Sequence, residues 1–382
     1  LNATGGTINN AGTIIFNADA DIGSGVDFNM QGSESSLVVN AEVNIDTPDF
    51  QLDGVGASGS TTINLGGVLD LDLGVGADED LEHDIFLNGG ELDVTTSDND
   101  WALNSIGSVT AAAGETSRIN GETFHANGDI TVTSNSTLII GASTEYSSTT
   151  DVVIDAGSTL NNGFATYSGG DYTGGGVFKK GTATILANTE WNVATVDMDD
   201  GATTVNNGAS LVVNTDSLDD AGDGFDGTIT VEDSGELTLN LSSGADVVFE
   251  GTSQLIYNGN IISSTFLPAP ANGSALRFDD NSSLDINGDG TSDARIKLNG
   301  GSLIIHDAAE DFRMNGGSQV AGETNEINGS QIDGPGELQI GSGSALRGHG
   351  VINAQVDGDG SSQLIATDGQ LDVNGGIQDI GT

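Results

Sequence analysis

The chain has 382 residues and a strong excess of acid, with 57 Asp and Glu against 8 Lys and Arg and a formal net charge of −49. This charge argues against nucleic acid and anionic lipid as partners, because their phosphate groups would be repelled. The lack of cysteine excludes a small disulfide-stapled scaffold, and no run reaches the ~18 apolar residues that a membrane-spanning helix needs.

A short phrase recurs along the chain, made of a Gly/Asn turn, a small residue and an apolar strand. Its clearest copy is residues 206–214, Asn-Asn-Gly-Ala-Ser-Leu-Val-Val-Asn, whose last amide can bond the next turn. The leucines of neighbouring copies are roughly 20–25 residues apart, which is typical of a stacked solenoid. These leucine pairs are Leu69 and Leu92, Leu138 and Leu160, Leu211 and Leu237, and Leu346 and Leu371.

The residues between the leucines are turn formers and short alternating runs, with almost no helical periodicity. We therefore predict an all-β chain that forms a single parallel β-helix, or β-solenoid, over residues 1–382. We expect a right-handed coil of roughly 20–25 residues. A narrow core of Val, Ile, Leu and Ala fits the 58 glycines and the low aromatic content.

In chain order, residues 1–75 carry short alternating strands, and residues 88–160 continue the repeat. The regular part is interrupted near Trp101 and near His125. These two side chains either fill the interior of the coils or form a shelf on which a sugar ring stacks. A single Trp and a single His in a long solenoid favour the first interpretation.

Three segments are expected to leave the stack as loops, at 76–84, 215–227 and 262–275. The first two are acidic, and an acidic stretch between strands is typical of a solvated corner. The third contains two of the four prolines. Proline cannot donate to a strand ladder, so this segment is a loop and a natural contact point.

Two stretches in the second half carry a family resemblance. Residues 174–188 and 202–214 are Gly-, Thr- and Asn-rich strand repeats, and residues 346–356 and 369–376 pair glycine turns with Val-Ile and Leu-x-Val strands. They resemble the strand repeats of bacterial autotransporter-type passenger proteins and related large surface proteins. The resemblance implies a β-solenoid exposed outside the cell, and it carries no catalytic residues across.

The acidic loop at 215–227 is a candidate calcium site. Calcium takes six to eight oxygen ligands from flexible carboxylates and carbonyls. The carboxylates of this loop either converge on such an ion or stay solvated, and the sequence does not decide between the two. The residues concerned are Asp219, Asp220, Asp223 and Asp226.

The segment 285–293 is the sharpest chemical motif. Counted from its first residue, side-chain oxygens fall at positions 1, 3, 5 and 9, a glycine at position 6 and a usable carbonyl at position 7, as in the first part of an EF-hand loop. Position 12 is Ile296, so the Glu that completes an EF-hand is missing. The pattern resembles the shorter calcium loops of extracellular repeat proteins, with an empty Asx-rich turn as the alternative. Its residues are Asp285, Asn287, Asp289, Gly290, Thr291 and Asp293.

The sequence does not favour an enzyme. A uronate lyase needs cations beside its substrate's carboxylate, and Arg295 and Lys297, which follow the candidate calcium loop, are the best pair. With 57 acids, a pair of carboxylates at hydrolase spacing is inevitable and indicates nothing. The histidines lie in no nucleophile or zinc motif. They are His83, His125, His306 and His349.

We therefore expect an extracellular, non-catalytic structural or adhesive protein of a cell surface. In this hypothesis an acidic, calcium-binding β-solenoid rod assembles with itself, end to end, into filaments or a surface layer, or binds other surface components such as glycans. Uncapped solenoid ends favour such assembly because they expose unpaired strand edges. The alternative is a β-helix that binds or cleaves polysaccharides, which a groove with clustered aromatics and basic residues would favour.

Overall fold

The protein is built of strands and turns, with no helix in the part described by the computed structural model, and its paired strands run parallel. The fold is a β-solenoid, so the predicted fold class is confirmed. The handedness of the coil stays a prediction. The structure describes residues 1–382 except 32–33, 48–49, 54–58, 74–79, 97–99, 104–106, 113, 199–200, 219–226, 233–234, 242–246, 250–253, 259–274, 280, 288–289, 293–294, 310, 321–322 and 381–382.

The chain is organised as two compact units. The first comprises Leu1–Thr182 and Asn192–Thr195, and the second comprises Ala183–Trp191 and Val196–Thr382. In the described residues of either unit, no helix has the length and apolar character to cross a membrane.

The first unit contains β1 to β21, short strands in which buried and outward-facing residues alternate. Three of them, β2, β5 and β8, form a separate small sheet. The strands are β1 (Asn2–Ala3), β2 (Gly6–Asn10), β3 (Thr13–Phe16), β4 (Ala20–Ile22), β5 (Val26–Gln31), β6 (Ser36–Val39), β7 (Glu42–Thr47), β8 (Phe50–Asp53), β9 (Ser60–Asn64), β10 (Val68–Leu73), β11 (Asp80–Leu81), β12 (Asp84–Asn88), β13 (Glu91–Thr96), β14 (Asp100–Leu103), β15 (Ser108–Ala111), β16 (Thr116–Gly121), β17 (Thr123–Ala126), β18 (Asp129–Val132), β19 (Thr137–Tyr146), β20 (Asp151–Ile154) and β21 (Thr159–Tyr167). Two further strands, β22 (Asp171–Ile185) and β23 (Thr189–Asp197), contribute residues to both units.

The second unit contains β24 to β40. Four of these strands, β32, β35, β37 and β39, form a sheet of their own. The strands are β24 (Ala202–Val205), β25 (Ser210–Thr215), β26 (Thr228–Val231), β27 (Glu236–Leu241), β28 (Val247–Phe249), β29 (Gln254–Asn258), β30 (Ala275–Asp279), β31 (Ser283–Asn287), β32 (Gly290–Ser292), β33 (Arg295–Asn299), β34 (Ser302–Ile305), β35 (Asp311–Met314), β36 (Asn325–Asp333), β37 (Glu337–Ile340), β38 (Ala345–Ile352), β39 (Gln355–Gly358) and β40 (Gln363–Val373).

The repeated leucines set the register of the coils. Three of the four predicted pairs are direct neighbours, namely Leu69 and Leu92, Leu138 and Leu160, and Leu211 and Leu237. The fourth prediction was wrong, because Leu346 pairs with Leu364 and Leu371 aligns with Gly350 beyond a register shift. The coil is shorter there than the sequence spacing indicated.

Coil length varies more widely than predicted. Gln355 lies one coil after Glu337, 18 residues later, whereas Asn325 lies one coil after Ile296, 29 residues later. The additional residues of the longer coil lie in the connections between strands, because loops tolerate insertions at little energetic cost. The strands can therefore keep the stack in register while the corners differ in length.

The core of each coil is a thin column of inward-facing side chains. In β10, Leu69, Leu71 and Leu73 are at most 1% exposed, while Asp70 and Asp72 between them face outwards. Burying one such leucine contributes about 1.5–3 kcal/mol. Because the next coil repeats the pattern in register, each strand covers the apolar row of its neighbour.

Rows of side-chain amides bond the outer corners of successive coils. In the first unit Asn40 donates to Asn17 at 2.8 Å, Asn64 to Asn40 at 2.7 Å, and Asn88 to Asn64 at 3.1 Å. Asn40 and Asn88 belong to copies of the recurring phrase. We call this row of Asn17, Asn40, Asn64 and Asn88 the amide ladder.

The segments predicted as loops are described only in part. Of 76–84, residues 76–79 lie outside the described residues, Asp80–Leu81 form β11, and Asp84 begins β12. Residues 219–226 of the second segment and 262–274 of the third also lie outside the described part of the chain.

Candidate functional site

The predicted calcium loop at 285–293 begins inside a strand. Asp285 and Asn287 lie on β31, and Thr291 lies on β32, which belongs to the small four-stranded sheet of the second unit. Asp289 and Asp293 are outside the described residues. Strand alternation places Asp285 and Asn287 on one face of β31, so the structure brings two of the predicted ligands together.

Asp285 is held in an unusually apolar place for a carboxylate. It is 9% exposed, in register with Ile256 on one side and Ile304 on the other, and its Oδ1 has no hydrogen-bond partner among the described residues. Burial raises the pKa of Asp285, against the lowering effects of a hydrogen bond with Ser283 and of nearby His306. Its second oxygen thus lacks the partner that a buried acceptor normally has.

The other predicted calcium ligands are not described. Asp219, Asp220, Asp223 and Asp226 all lie within 219–226, outside the described residues. Among the residues that the structure does describe, no three Asp, Glu or His side chains are close enough to hold a metal ion together. The calcium hypothesis for both loops stays a prediction.

The hypothesis of a sugar-stacking shelf at Trp101 and His125 is wrong. Trp101 is 1% exposed and stacks on Phe124 in the core, with ring centroids 4.3 Å apart. His125 points outwards from the neighbouring coil and pairs with Glu145 at 3.1 Å. Strand alternation puts the two side chains on opposite faces, so the prediction of an interior side chain is confirmed for Trp101 and wrong for His125.

His83, which lies in no recognisable sequence motif, is a buried ionisable side chain of the first unit. It is fully buried, with Ser35 Oγ 3.0 Å from its Nε2 and Thr61 Oγ1 3.1 Å from its Nδ1. Burial lowers the pKa of His83 to about 4, and nearby Asp84 only partly offsets this. The ring is therefore neutral at physiological pH and bonded to a hydroxyl on each side.

In the sequence, Gly59 is the residue that could have indicated this cluster, because the His83 ring occupies the space of its missing side chain. A Cβ at Gly59 would lie 2.2 Å from His83 Nε2, closer than atoms can approach. Ser35 and Thr61, which flank the ring, are both at most 1% exposed. Serine, histidine and a second hydroxyl resemble a catalytic set, but a substrate cannot reach atoms that are sealed in the core.

A second cluster missed by sequence reasoning is a stack of aromatic rings in the first unit. Tyr146 and Tyr167 stack in parallel at 5.1 Å, Tyr172 meets both edge-on, and Phe178 stacks on Tyr172 at 5.3 Å. Asn162 donates to the Tyr146 hydroxyl at 2.8 Å. Burial raises the pKa of Tyr146 well above its usual value, and the Asn162 bond only partly offsets this. These rings are core residues with no face open to a ligand.

An outward face of the first unit is strongly acidic. In one column, Asp21, Asn44, Asp70 and Asp93 lie in register over four successive coils. Burial and the neighbouring charges of Asp93, Asp72 and Glu42 raise the pKa of Asp70. We call this surface of β4, β7, β10 and β13 the acidic face, and its carboxylates are Asp21, Glu42, Asp46, Asp70, Asp72, Glu91 and Asp93.

An outward face of the second unit gathers the rare cations of the chain. Arg277, Lys297, Glu326 and Arg347 form one in-register column over four successive coils of β30, β33, β36 and β38. Arg295 lies two residues before Lys297, alternating with the buried Ile296. We call Arg277, Arg295, Lys297 and Arg347, with Asp279 and Glu326, the cationic patch.

The cationic patch contains one close ion pair. Arg277 forms a close pair with Asp279, with Nη2 2.9 Å from Oδ2 and Nε 3.0 Å from both carboxylate oxygens. Glu326 lies in register between Lys297 and Arg347. The predicted lyase pair, Arg295 and Lys297, lies on one strand face as expected, but Arg295 is only 8% exposed, which leaves little of it for a substrate.

Comparison with known proteins found no family model, no curated protein and no solved structure that matches the chain.

Proposed function

We propose that the chain is an extracellular, non-catalytic structural or adhesive protein of a cell surface, in which the β-solenoid serves as the scaffold. The observation that carries this proposal is that polar side chains form hydrogen bonds from one coil to the next. The amide ladder links four successive coils, and further amides bond carboxylates one coil away, such as Asn214 to Glu190 at 2.9 Å. These groups hold coil to coil, which is what a scaffold requires.

The burial of reactive groups also supports a scaffold. His83 and its two hydroxyl partners are sealed in the core, as are Trp101 and the tyrosine stack. Catalysis needs a nucleophile or base that a substrate can reach. The hydroxyl and imidazole groups of this cluster instead satisfy one another.

The acidic surface supports calcium as the stabilising ion. A charge of −49 opposes compaction unless salt screens it or bound cations neutralise it. Asp285, with its orphaned buried oxygen, and Asn287 on the same strand face would hold a calcium ion together with ligands from 288–293. A bound cation would lower the cost of burying the Asp285 carboxylate.

In this proposal the chain also assembles with further copies of itself or with other surface components. Strand edges at the ends of a β-solenoid present unpaired N–H and C=O groups, which favour end-to-end addition of further copies or of other surface components, glycans included. The strand repeats that resemble autotransporter-type passengers agree with such an exposed location.

Electron microscopy of the purified chain in calcium and then in chelator tests this function. We expect filaments or sheets that dissolve on chelation, and their loss in the variant Asp285→Asn. Asp129→Asn removes the same charge from an exposed position of β18 in the first unit and serves as the matched control. Isolated particles that are identical in both conditions would overturn the calcium-dependent assembly.

A thermal melt gives a second readout of calcium binding. A ligand present at about 100 times its Kd stabilises the folded state by about 2.7 kcal/mol. We expect calcium to raise the melting temperature of the parent and of Asp129→Asn, and to leave that of Asp285→Asn nearly unchanged. An equal rise in all three would show that calcium acts elsewhere.

A further inference from the structure

An apolar groove runs beside β3 in the first unit, and we call it the β3 groove. Its volume is about 440 Å³, within the range of about 300–1,000 Å³ that ligand clefts span. None of the described side chains that line it is charged. In a chain with 57 acidic residues, such a surface favours an uncharged, apolar partner. The apolar wall of the groove includes Leu1, Ile8, Ile14, Phe16 and Phe28.

The groove lies along a free backbone edge. One edge of β3 pairs with β6, and there the carbonyl of Phe16 accepts from the N–H of Asn40. In a parallel strand the N–H and C=O groups of successive residues point to opposite edges, so those of Thr13 and Ile15 point away from β6. No described strand pairs with that second edge, and no residue of β6 lines the groove. The free edge can therefore accept one more strand.

An amide donor stands at the end of this edge. Asn17 follows β3, and its Oδ1 accepts from Asn40 at 2.8 Å, whereas its Nδ2 donates to no described residue. In the amide ladder, the residue that follows each strand bonds the residue that follows the neighbouring strand. A strand on the free edge would thus meet the Asn17 donor with the residue at its own end. Asn or Asp at that place supplies the acceptor.

We propose that the free edge of β3 binds an extended strand of a second polypeptide, which carries the recurring phrase of this chain and runs parallel to β3. The strand β6 shows the required pattern, because it meets β3 from the other side. In it, Leu37 and Val39 are fully buried in register with β3, and Asn40 follows. The incoming strand therefore reads apolar, any residue, apolar, then Asn or Asp. Backbone bonds to the edge supply affinity, and the side chains in the groove supply specificity.

This inference rests on the proposed assembly through unpaired strand edges, and it names one edge and the kind of strand that this edge takes. The same five residues, Ser-Leu-Val-Val-Asn, occur at 36–40 and 210–214. Both copies are already paired within their own coils, so the bound strand comes from a second polypeptide. Calcium is not required, because the groove contains no carboxylate.

A labelled peptide Ser-Leu-Val-Val-Asn with acetylated and amidated ends is the probe for this edge. Fluorescence anisotropy measures its binding to the whole chain, and we expect saturable binding. Ile15→Pro removes the N–H that faces the incoming strand and leaves the bonds between β3 and β6 in place. We expect it to weaken binding at least about tenfold, because a backbone bond is lost and the edge is blocked. Ile15→Val keeps the N–H and is the matched control, with the affinity of the parent chain.

A second variant tests the amide without changing the backbone. Asn17→Asp can still accept from Asn40, but it has no donor. At about 0.15 M salt, which screens the net charge, a peptide that ends in Asp should bind the parent chain with an affinity similar to that of the Asn peptide. It should bind Asn17→Asp at least about tenfold more weakly, because two carboxylates then meet. Asn135→Asp adds the same charge at an exposed turn of the first unit and should bind the Asp peptide as the parent does.

Circular dichroism checks that each variant keeps its strand signal. The proposal is overturned if the peptide does not saturate the chain, if Ile15→Pro binds it as the parent does, or if Asn17→Asp and Asn135→Asp respond equally to the Asp peptide. A groove that binds an apolar dye and no peptide would equally refute a strand as its occupant. Calcium-dependent filaments in a chain that binds no peptide would keep the proposed function and refute only the strand site.

Discussion

Two clusters of the first unit accommodate buried polar side chains in the core in different ways. Around His83, hydroxyls from two other coils bond the two ring nitrogens. Around Tyr146, Tyr167 and Tyr172, ring-on-ring packing dominates, with one amide bond to the Tyr146 hydroxyl. The first cluster depends on hydrogen bonding and the second on volume, so they should respond differently to truncation and to pH.

The largest effect is expected in the tyrosine stack. Tyr167→Ala removes a ring that touches two others and should cost about 3–5 kcal/mol of unfolding free energy, because the neighbouring rings cannot collapse into the cavity. Urea unfolding followed by circular dichroism measures it. Tyr167→Phe keeps the volume and is the control, and a loss for Phe as large as for Ala would show that packing is not the main contribution.

The histidine cluster should instead make stability depend on pH. The pKa of His83 is about 4 in the folded chain and 6.5 in the unfolded chain, so the unfolded chain takes up the proton first as the pH falls. Stability from this group is complete above about pH 6.5, and about 3 kcal/mol is lost between pH 6.5 and 4.

Urea titrations at several pH values, for the parent chain and for His83→Asn, measure this contribution. Acidic side chains titrate in both proteins, so the informative quantity is the difference between them. That difference should shrink as the pH falls from 6.5 to 4. A constant difference would mean that folding does not lower the pKa of His83.

A smaller effect is expected from the amide that bonds the tyrosine cluster. Asn162→Leu removes the donor to the buried Tyr146 hydroxyl and should cost about 1–3 kcal/mol, the usual penalty of an unsatisfied buried group. The double variant with Tyr146→Phe removes both partners. If the double variant is no more stable than Asn162→Leu alone, the hydroxyl was not the source of the loss.

The smallest effect is expected at the surface, in the amide ladder. Asn64→Ala breaks two bonds of the row and should cost about 1 kcal/mol, whereas Asn17→Ala breaks one and should cost about half of that. Thermal melts of the two variants give the comparison. Equal losses would indicate that each amide acts through its own corner and not through the row.

The sequence was sufficient to predict the features of the fold that depend on a local, periodic pattern. Leu69 and Leu92 share a strand pattern that repeats at coil spacing, and such a pattern predicts both the strand and its neighbour. The wrong pair, Leu346 and Leu371, shows the limit, because the short coil before Leu364 and the register shift after it leave no periodic trace.

The candidate sites were less predictable because their partners are distant in sequence. His83 is bonded by residues 48 and 22 positions away, and its environment becomes visible only when the coils are stacked. The cationic patch likewise depends on register, since Arg277, Lys297 and Arg347 become one column only through strand pairing. Trp101 was ambiguous because alternation starting one residue earlier or later would have turned it outwards.

The amide rows also give each stack a polarity. In the ladder every donor lies on the later coil and every acceptor on the earlier one, and the row of Asp333, Asn353 and Asn374 in the second unit runs in the same sense. A carboxylate can only accept, so Asp333 at the start of its row fixes the direction of the amides after it. The aligned dipoles add along the row, as peptide dipoles do along a helix. A coil added in the opposite orientation would place a donor against a donor. Either row of amides therefore continues only if each added coil has the same orientation as the coils already in the stack.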